Sequence, residues 1–336
     1  MNCWTTAAAA ALILGLGLMM TSATQGEEAK PAAKPAAKAA KAPRVVDKTK
    51  PVSDEEVKKI TDAIAQVKPV VAPTKPRKLL VFSVSPGYWH TAIPYGKKVA
   101  EILAARTGAF EAAVSDDLAN FEPENLKKFD AVWFNNANNE VFLPDPEEFK
   151  KMSPEDQAKA TARDEALKKS LVEWLKGGKG IYATHAAVAM FREWPEFGNI
   201  IGARFTNHPW VGGSKVWFKV EEPGHPLAQA FKASPFEITD ETYQVEAPYS
   251  RDLLRVLVSI DTTKTNMQAK GIKRTDGDFA ITWIRPYGQG RVGYCAIGHD
   301  HPLFWNPMVI QHYLDGIQFA LGDLKADATA SAKIKK

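Results

Sequence analysis

Between Lys78 and Gly322 the chain alternates short apolar runs with segments of helical period, and this alternation limits the possible folds more than any other feature. KLLVFSV (78–84), FEAAVS (110–115), DAVWFNN (130–136) and GIYAT (180–184) read as buried strands. Helical patterns separate them. Pro94–Thr107 places Val99, Ile102 and Leu103 on one face and stops at Gly108; Ser153–Lys176 repeats Leu167, Leu171 and Leu175 before Gly177-Gly178. Strand-helix-strand order implies a parallel sheet with helices on both faces. The second half is richer in strands: SKVWFKV (214–220), the stretch near Phe236–Tyr243, RVLVSI (255–260), FAITWI (279–284) and RVGYCAI (291–297). Asn306-Pro307 then opens a last helix that ends at Gly322. The expected class is α/β, a doubly wound parallel sheet with an antiparallel β elaboration. No repeat or second linker interrupts it, so residues 76–324 read as one domain.

The flanks differ in kind. Residues 7–20, AAAAALILGLGLMM, are an uncharged apolar run. It is shorter than the roughly 20 residues of a membrane span and suits the apolar centre of a secretory signal peptide. Residues 1–26 are therefore expected to be a signal peptide cut near Ala23 or Gly26, with an uncleaved anchor as the alternative. The mature protein is then expected to be periplasmic or secreted. Residues 27–52 form an Ala/Lys/Pro-rich linker without apolar pattern. Its lysines could touch anionic envelope polymers, although a solvated spacer is the simpler reading. Within 53–75, Ser53-Asp-Glu-Glu56 predicts a capped short helix to about Val67, followed by a connector with Pro69 and Pro73. Residues 325–336 are a basic tail. The net charge of +4 resides in these flanks, since 76–324 carry 28 Lys+Arg against 31 Asp+Glu. A slightly acidic body offers no footprint for nucleic acid. Cys3 and Cys295 are the two cysteines, too few for a four-cysteine zinc site. If Cys3 is removed with the signal peptide, no internal disulfide remains possible, and Cys295, inside an apolar strand, reads as structural.

Polar chemistry collects just past the strands. His90 follows the first strand through Ser85-Pro-Gly-Tyr-Trp; His185 follows GIYAT directly; His299, with Asp300 and His301, follows RVGYCAI-Gly298. Carboxyl ends of parallel strands converge on one crevice, where open α/β sheets bind ligands. His208 lies in Asn207-His208-Pro209, and Asp240-Glu241-Thr242-Tyr243 adds carboxylates. Imidazole and carboxylate suit proton transfer or a divalent metal. His185, His299 and Asp300 are the candidate catalytic residues; His90, Trp89, Asn207, His208 and Trp210 are candidate substrate contacts. His90, His185, Glu241 and His299 are the candidate ligands of a zinc-like divalent metal. Each has a plainer reading. His299 and Asp300 could be a loop hydrogen-bond pair, Glu241 a solvated acid, and Tyr88, Trp89, Trp210 and Trp305 packing residues instead of sugar platforms. His225, in Gly224-His225-Pro226, looks like a turn residue, and His312 a helix-surface or core-edge one. No G-x-S-x-G, Walker or H-E-x-x-H motif occurs. Gly288-Gln-Gly290-Arg-Val-Gly293 opens no helix and reads as a hairpin turn, so no nucleotide cofactor is expected.

Taken in order, LLVFSVSPGYWHT, LVEWLKGGKGIYATHAA, ARFTNHPW, GHPLAQAF, ITDETYQ and WIRPYGQGRVGYCAIGHD resemble the ThuA-like family, named for trehalose utilisation, over about 77–322. The resemblance implies a class I glutamine amidotransferase-like, flavodoxin-type fold. It maps a polar cluster onto His90, His185, His208, Glu241, His299 and Asp300. Amidotransferases carry a cysteine nucleophile at the strand-to-helix elbow; here His185 stands there, and imidazole cannot form the acyl-thioester. The resemblance further implies a small sugar substrate of the 3-keto-glucoside or trehalose-type disaccharide class, supplied by an upstream sugar dehydrogenase. The expectation is acid/base cleavage or isomerisation, assisted by a metal. A non-catalytic glycan-binding module of the envelope is the alternative.

Overall fold

A five-residue apolar strand buries both faces only when helices cover it from each side, and the chain supplies those helices in alternation. A computed structural model of the chain describes residues 47–232 and 234–334. The expected signal peptide and the linker up to residue 46 lie outside them. The first half runs α1 (Asp54–Ile64), β1 (Lys78–Phe82), α2 (Ile93–Thr107), β2 (Glu111–Val114), α3 (Pro123–Leu126), β3 (Ala131–Asn135), α4 (Pro146–Lys151), α5 (Pro154–Lys176) and β4 (Gly180–Thr184). The second half continues α6 (Pro195–Ile201), β5 (Arg204–Trp210), β6 (Lys215–Val220), β7 (Phe236–Thr239), β8 (Thr242–Glu246), β9 (Arg255–Ile260), β10 (Ala280–Tyr287), β11 (Gly290–Cys295) and α7 (Pro307–Leu321).

Nine strands form one sheet in the order β2-β1-β3-β4-β11-β10-β9-β6-β7. The first five are parallel, the flavodoxin-type order. The remaining four continue antiparallel from β11. This is the doubly wound sheet with its antiparallel elaboration. β5 and β8 form a separate ribbon. β3 and β4 are buried at every residue, as strands central to a covered sheet must be. Helix α7 lies so close to the sheet that a Cβ on Gly316 would enter the Tyr182 ring.

Three local features differ from expectation. Residues 185–189 make a 3₁₀ turn instead of starting an α-helix. β5 has no alternating apolar signature, because most of its residues are only partly buried. The flanks of 76–324 are also part of the packed body. Ile60, Ala63 and Ile64 of α1 are buried, and Tyr95 Oη donates to Glu56 at 2.8 Å. The segment after residue 324 runs along the domain, with the amide of Ser331 bonded to Leu254 O at 2.9 Å and Arg255 paired to Asp327 at 3.1 Å. Cys295 is fully buried, and burial pushes its thiol up to about 12, which makes it an inert packing residue.

Candidate functional site

The parallel strands β1, β3, β4 and β11 are neighbours, so their carboxyl ends open onto one edge. From these ends come His90, the Asn136–Asn139 segment, His185 and Gly298-His299-Asp300 in turn. Glu241 reaches the same place from the turn between β7 and β8. The three imidazole rings stand 5.2–5.5 Å apart, centre to centre. One nitrogen from each and one Glu241 oxygen all lie within 4.8 Å of one another.

Each group is oriented by its surroundings. His185 adopts a left-handed φ of 47° at the tip of the turn, with its side chain fully buried. Its Nδ1 lies 2.9 Å from Ala296 O. A carbonyl only accepts, so Nδ1 carries the proton and Nε2 presents a lone pair to the cluster. That Nε2 is 3.5 Å from Glu241 Oε1, and His299 Nδ1 is 3.5 Å from the same oxygen. Neither nitrogen has a hydrogen-bond partner although both are buried. His208 Nδ1 approaches the other oxygen, Oε2, at 3.4 Å. Two unsatisfied imidazole nitrogens facing one carboxylate oxygen fit a shared cation. Ligands about 2.0–2.1 Å from a tetrahedral zinc lie roughly 3.3 Å apart, close to the two 3.5 Å spacings from Glu241 Oε1 to His185 and His299.

His90 differs in tautomer. The Asn138 amide nitrogen donates to Tyr88 O at 3.1 Å and to His90 Nδ1 at 3.2 Å. Nδ1 therefore accepts, and the neutral ring carries its proton on Nε2, which faces Tyr243 Oη at 3.4 Å. Burial, helped by His185, His299 and His208, pushes His90 down to about 2. Burial likewise lowers His299. For Glu241, burial acts upward, but His185, His299 and His208 together hold its carboxyl below the usual range. Burial drives neighbouring Asp240 up to about 7, against the amides of Gly298 and Asp300 that donate to it.

In front of the cluster opens a cavity of about 300 Å³ lined by Tyr88, His90, Asn138, Arg192, Phe205, His208, Glu241 and Tyr243, among others. Tyr88 is 64% exposed and meets His90 edge-on at 4.7 Å.

The structure thus brings together His90, His185, Glu241 and His299, with His208 at the rim. Two sequence-based substrate contacts need correction. Trp210 is 2% exposed, packs on Phe279 and donates to Asn266 O, so no ring face is left for a sugar. Asn207 lies outside the cavity lining, donating its amide to Gly271 O at 2.8 Å and accepting from Gln244. Trp89 lies outside the cavity lining, beneath Lys48. The Asp300 carboxylate accepts the amide of Gly213 at 2.7 Å, holding the turn between β5 and β6, and it is not among the groups that converge with His90, His185, Glu241 and His299. His225 caps a turn and bonds Asp327 O at 3.0 Å, and His312 is a core residue bonded to Leu227 O. Sequence reasoning did not select Asp240, Asn138, Arg192, Phe205 or Tyr243 as site residues. The Asn-rich run after β3, at a carboxyl end like the three histidines, was the available signal for Asn138.

A family model described as ThuA, trehalose utilisation, matches residues 78–320. Among solved structures, a ThuA-like protein from Bacteroides uniformis superposes with a TM-score of 0.54 at 19% identity, covering 74% of this chain and 92% of that one. A ThuA-like protein from Parabacteroides merdae gives 0.51 at 14% identity, covering 78% and 100%. At such identities the likeness establishes the fold alone. No curated protein matches the chain.

Proposed function

The chain belongs to the ThuA, trehalose utilisation, family, and from that premise we propose that it is an exported enzyme acting on a 3-keto-glucoside or a related keto-disaccharide. In this reading an upstream sugar dehydrogenase makes the keto-sugar. One observation carries the proposal: His185 Nε2 and His299 Nδ1, both buried and unpartnered, face Glu241 Oε1 at 3.5 Å. Packing alone would leave such atoms costly, by about 1–3 kcal/mol each. His185, His299 and Glu241 would hold a divalent metal, and the Ala296 carbonyl on the far nitrogen of His185 is the outer-shell partner such a ligand requires. A cation there supplies Lewis-acid polarisation of a substrate carbonyl.

Imidazoles engaged as ligands are not free to move protons, so that work falls to other residues. His208, whose side chain is 45% exposed, turns Nδ1 to Glu241 and leaves Nε2 open to the cavity as a base. The C3 carbonyl acidifies the hydrogen on C2. His208 takes that proton, the electron pair moves toward the C3 oxygen, and His90 Nε2–H stabilises the oxyanion by donation. When the enolate re-forms the C3 carbonyl, the C1–C2 double bond forms and the C1–O bond breaks, and the protonated His208 returns its proton to the leaving glycosidic oxygen, which gives cleavage. Protonation of the C3 oxygen, with loss of the O2 proton to His208 and protonation at C3, gives the 2-keto isomer instead.

The test is incubation of the purified protein with native and 3-keto glycosides, with and without chelator, beside elemental analysis. Turnover confined to keto-sugars and abolished by chelator is the expected result. Tight glycan binding without metal or turnover would instead establish a binding module.

A further inference from the structure

The cavity before the cluster contains one carboxylate, Glu241, and that group is turned toward His185, His299 and His208 at 3.4–3.5 Å. Among the described residues no further carboxylate lines it to receive the hydroxyl protons of a neutral sugar, the part for which an acceptor-only group is suited. Asn138 is equally committed, donating to Tyr88 O and His90 and accepting from Asn139. Arg192 stands in the opposite condition. Its guanidinium lies 5.9 Å from the Phe205 ring on the cavity wall, and among the described residues it pairs with no carboxylate. Glu140 and Glu193 line the adjoining cleft. Glu140 accepts the amide of Glu193 at 3.1 Å with one oxygen, and its other oxygen lies 3.6 Å from Lys168 without a hydrogen bond; neither acid forms an ion pair with Arg192 among the described residues. The cavity lining thus offers, among the described residues, an unpaired exposed cation, Arg192, and an exposed aromatic ring, Tyr88.

We infer that the sugar this cavity takes carries an anionic group, which Arg192 binds while Tyr88 covers the apolar face of the ring. This rests on the carbohydrate reading above and narrows it. A volume of about 300 Å³ is at the small end for ligand sites, so one acidic hexose unit enters and any second unit stays outside. A guanidinium matches the paired oxygens of a carboxylate or a phosphate.

Calorimetric titration of the full chain with glucose, glucuronate and glucose 6-phosphate tests this, using wild type, R192A and R192K. A charge-assisted bond corresponds to roughly tenfold or more in affinity. One of the two anionic sugars should therefore bind at least about tenfold more tightly than glucose. R192A should erase that difference with an unchanged melting temperature, and R192K should keep part of it. Which anion wins distinguishes carboxylate from phosphate. Repeating the titrations after chelation identifies anions held by a bound cation, because these would persist in R192A; that persistence overturns the role of Arg192. Equal binding of all three sugars, indifferent to R192A, overturns the anionic subsite and leaves the carbohydrate reading standing. Binding of none overturns the anionic subsite, whereas the carbohydrate reading fails only if the 3-keto glycosides are also neither bound nor turned over.

Discussion

The Asp240 carboxylate accepts the backbone N–H of His299 at 3.0 Å, and it also takes the amides of Gly298 at 2.8 Å and Asp300 at 2.9 Å. One buried side chain therefore sets the path of the turn that delivers His299, while its chain neighbour Glu241 faces the imidazole of that residue. Asp240 touches none of the reacting groups and acts through His299 as a positioning residue.

Asp240→Asn keeps the size but points an NH₂ at backbone N–H groups. Loss of these bonds should cost about 1–3 kcal/mol of stability. Metal affinity should fall by roughly 10–100-fold, as for outer-shell partners elsewhere. Chemical denaturation and a competitive zinc titration on the same variant measure both. A variant that loses stability but keeps wild-type metal affinity would show that the turn tolerates the change and that Asp240 does not position His299.

Of the two imidazoles proposed as metal ligands, His299 is the more informative to remove, since its side chain is partly exposed whereas His185 is fully buried at a left-handed φ. His299→Ala should abolish stoichiometric metal and lower turnover by at least about 10²-fold. Stability should change by less than about 1 kcal/mol, as for most substitutions outside the core. Elemental analysis, turnover and melting temperature decide together. Full metal content in H299A would exclude it as a ligand.

Much of this arrangement was readable from residue order. The strands containing Leu79–Phe82, Val132–Phe134 and Ile181–Ala183 announce themselves as continuous apolar runs, because both faces are covered. A histidine just past such a run has to sit at the edge where parallel strands end, which is why His90, His185 and His299 could be grouped without coordinates. Trp210 shows where that reasoning fails. Its nearness to His208 in sequence suggested a shared site, but its ring meets Phe279, whose approach depends on how distant strands pair. The contribution of Arg192 is likewise invisible to periodicity, since it depends on a free cation facing Phe205 across a cavity. Asp240 and Glu241 are adjacent and chemically similar. Only the fold gives three amides to the first and three imidazoles to the second.

The close packing of α7 gives a prediction about stability alone. Gly316→Ala adds a methyl group where the Tyr182 ring already lies. The gain in helix propensity is about 1 kcal/mol, against about 1–3 kcal/mol for overpacking a tight core, occasionally more. Net destabilisation is expected, with metal content per folded molecule unchanged. A higher melting temperature in G316A would mean the helix can move off the sheet at little cost.

Asp315, on the same helix, links stability to pH. It is completely buried, one oxygen accepts from Gln311 at 2.7 Å, and the other has no partner. Burial raises its carboxyl from 3.8 to about 7, with the Gln311 bond opposing. A raised folded value means that the native state holds the proton more tightly than the unfolded chain does. The resulting contribution is fully present below the unfolded value of 3.8 and is lost as pH rises through about 7. Asp315→Asn removes the titration and keeps an oxygen for Gln311. It also places an NH₂ where the unpartnered oxygen was, so its benefit must be judged as a difference between two pH values. Relative to wild type, D315N should gain about 1–3 kcal/mol between pH 4 and pH 8. Denaturant midpoints for both proteins across that range give the answer. A stability difference that stays constant with pH would mean that Asp315 ionises in the native protein much as it does in the unfolded chain.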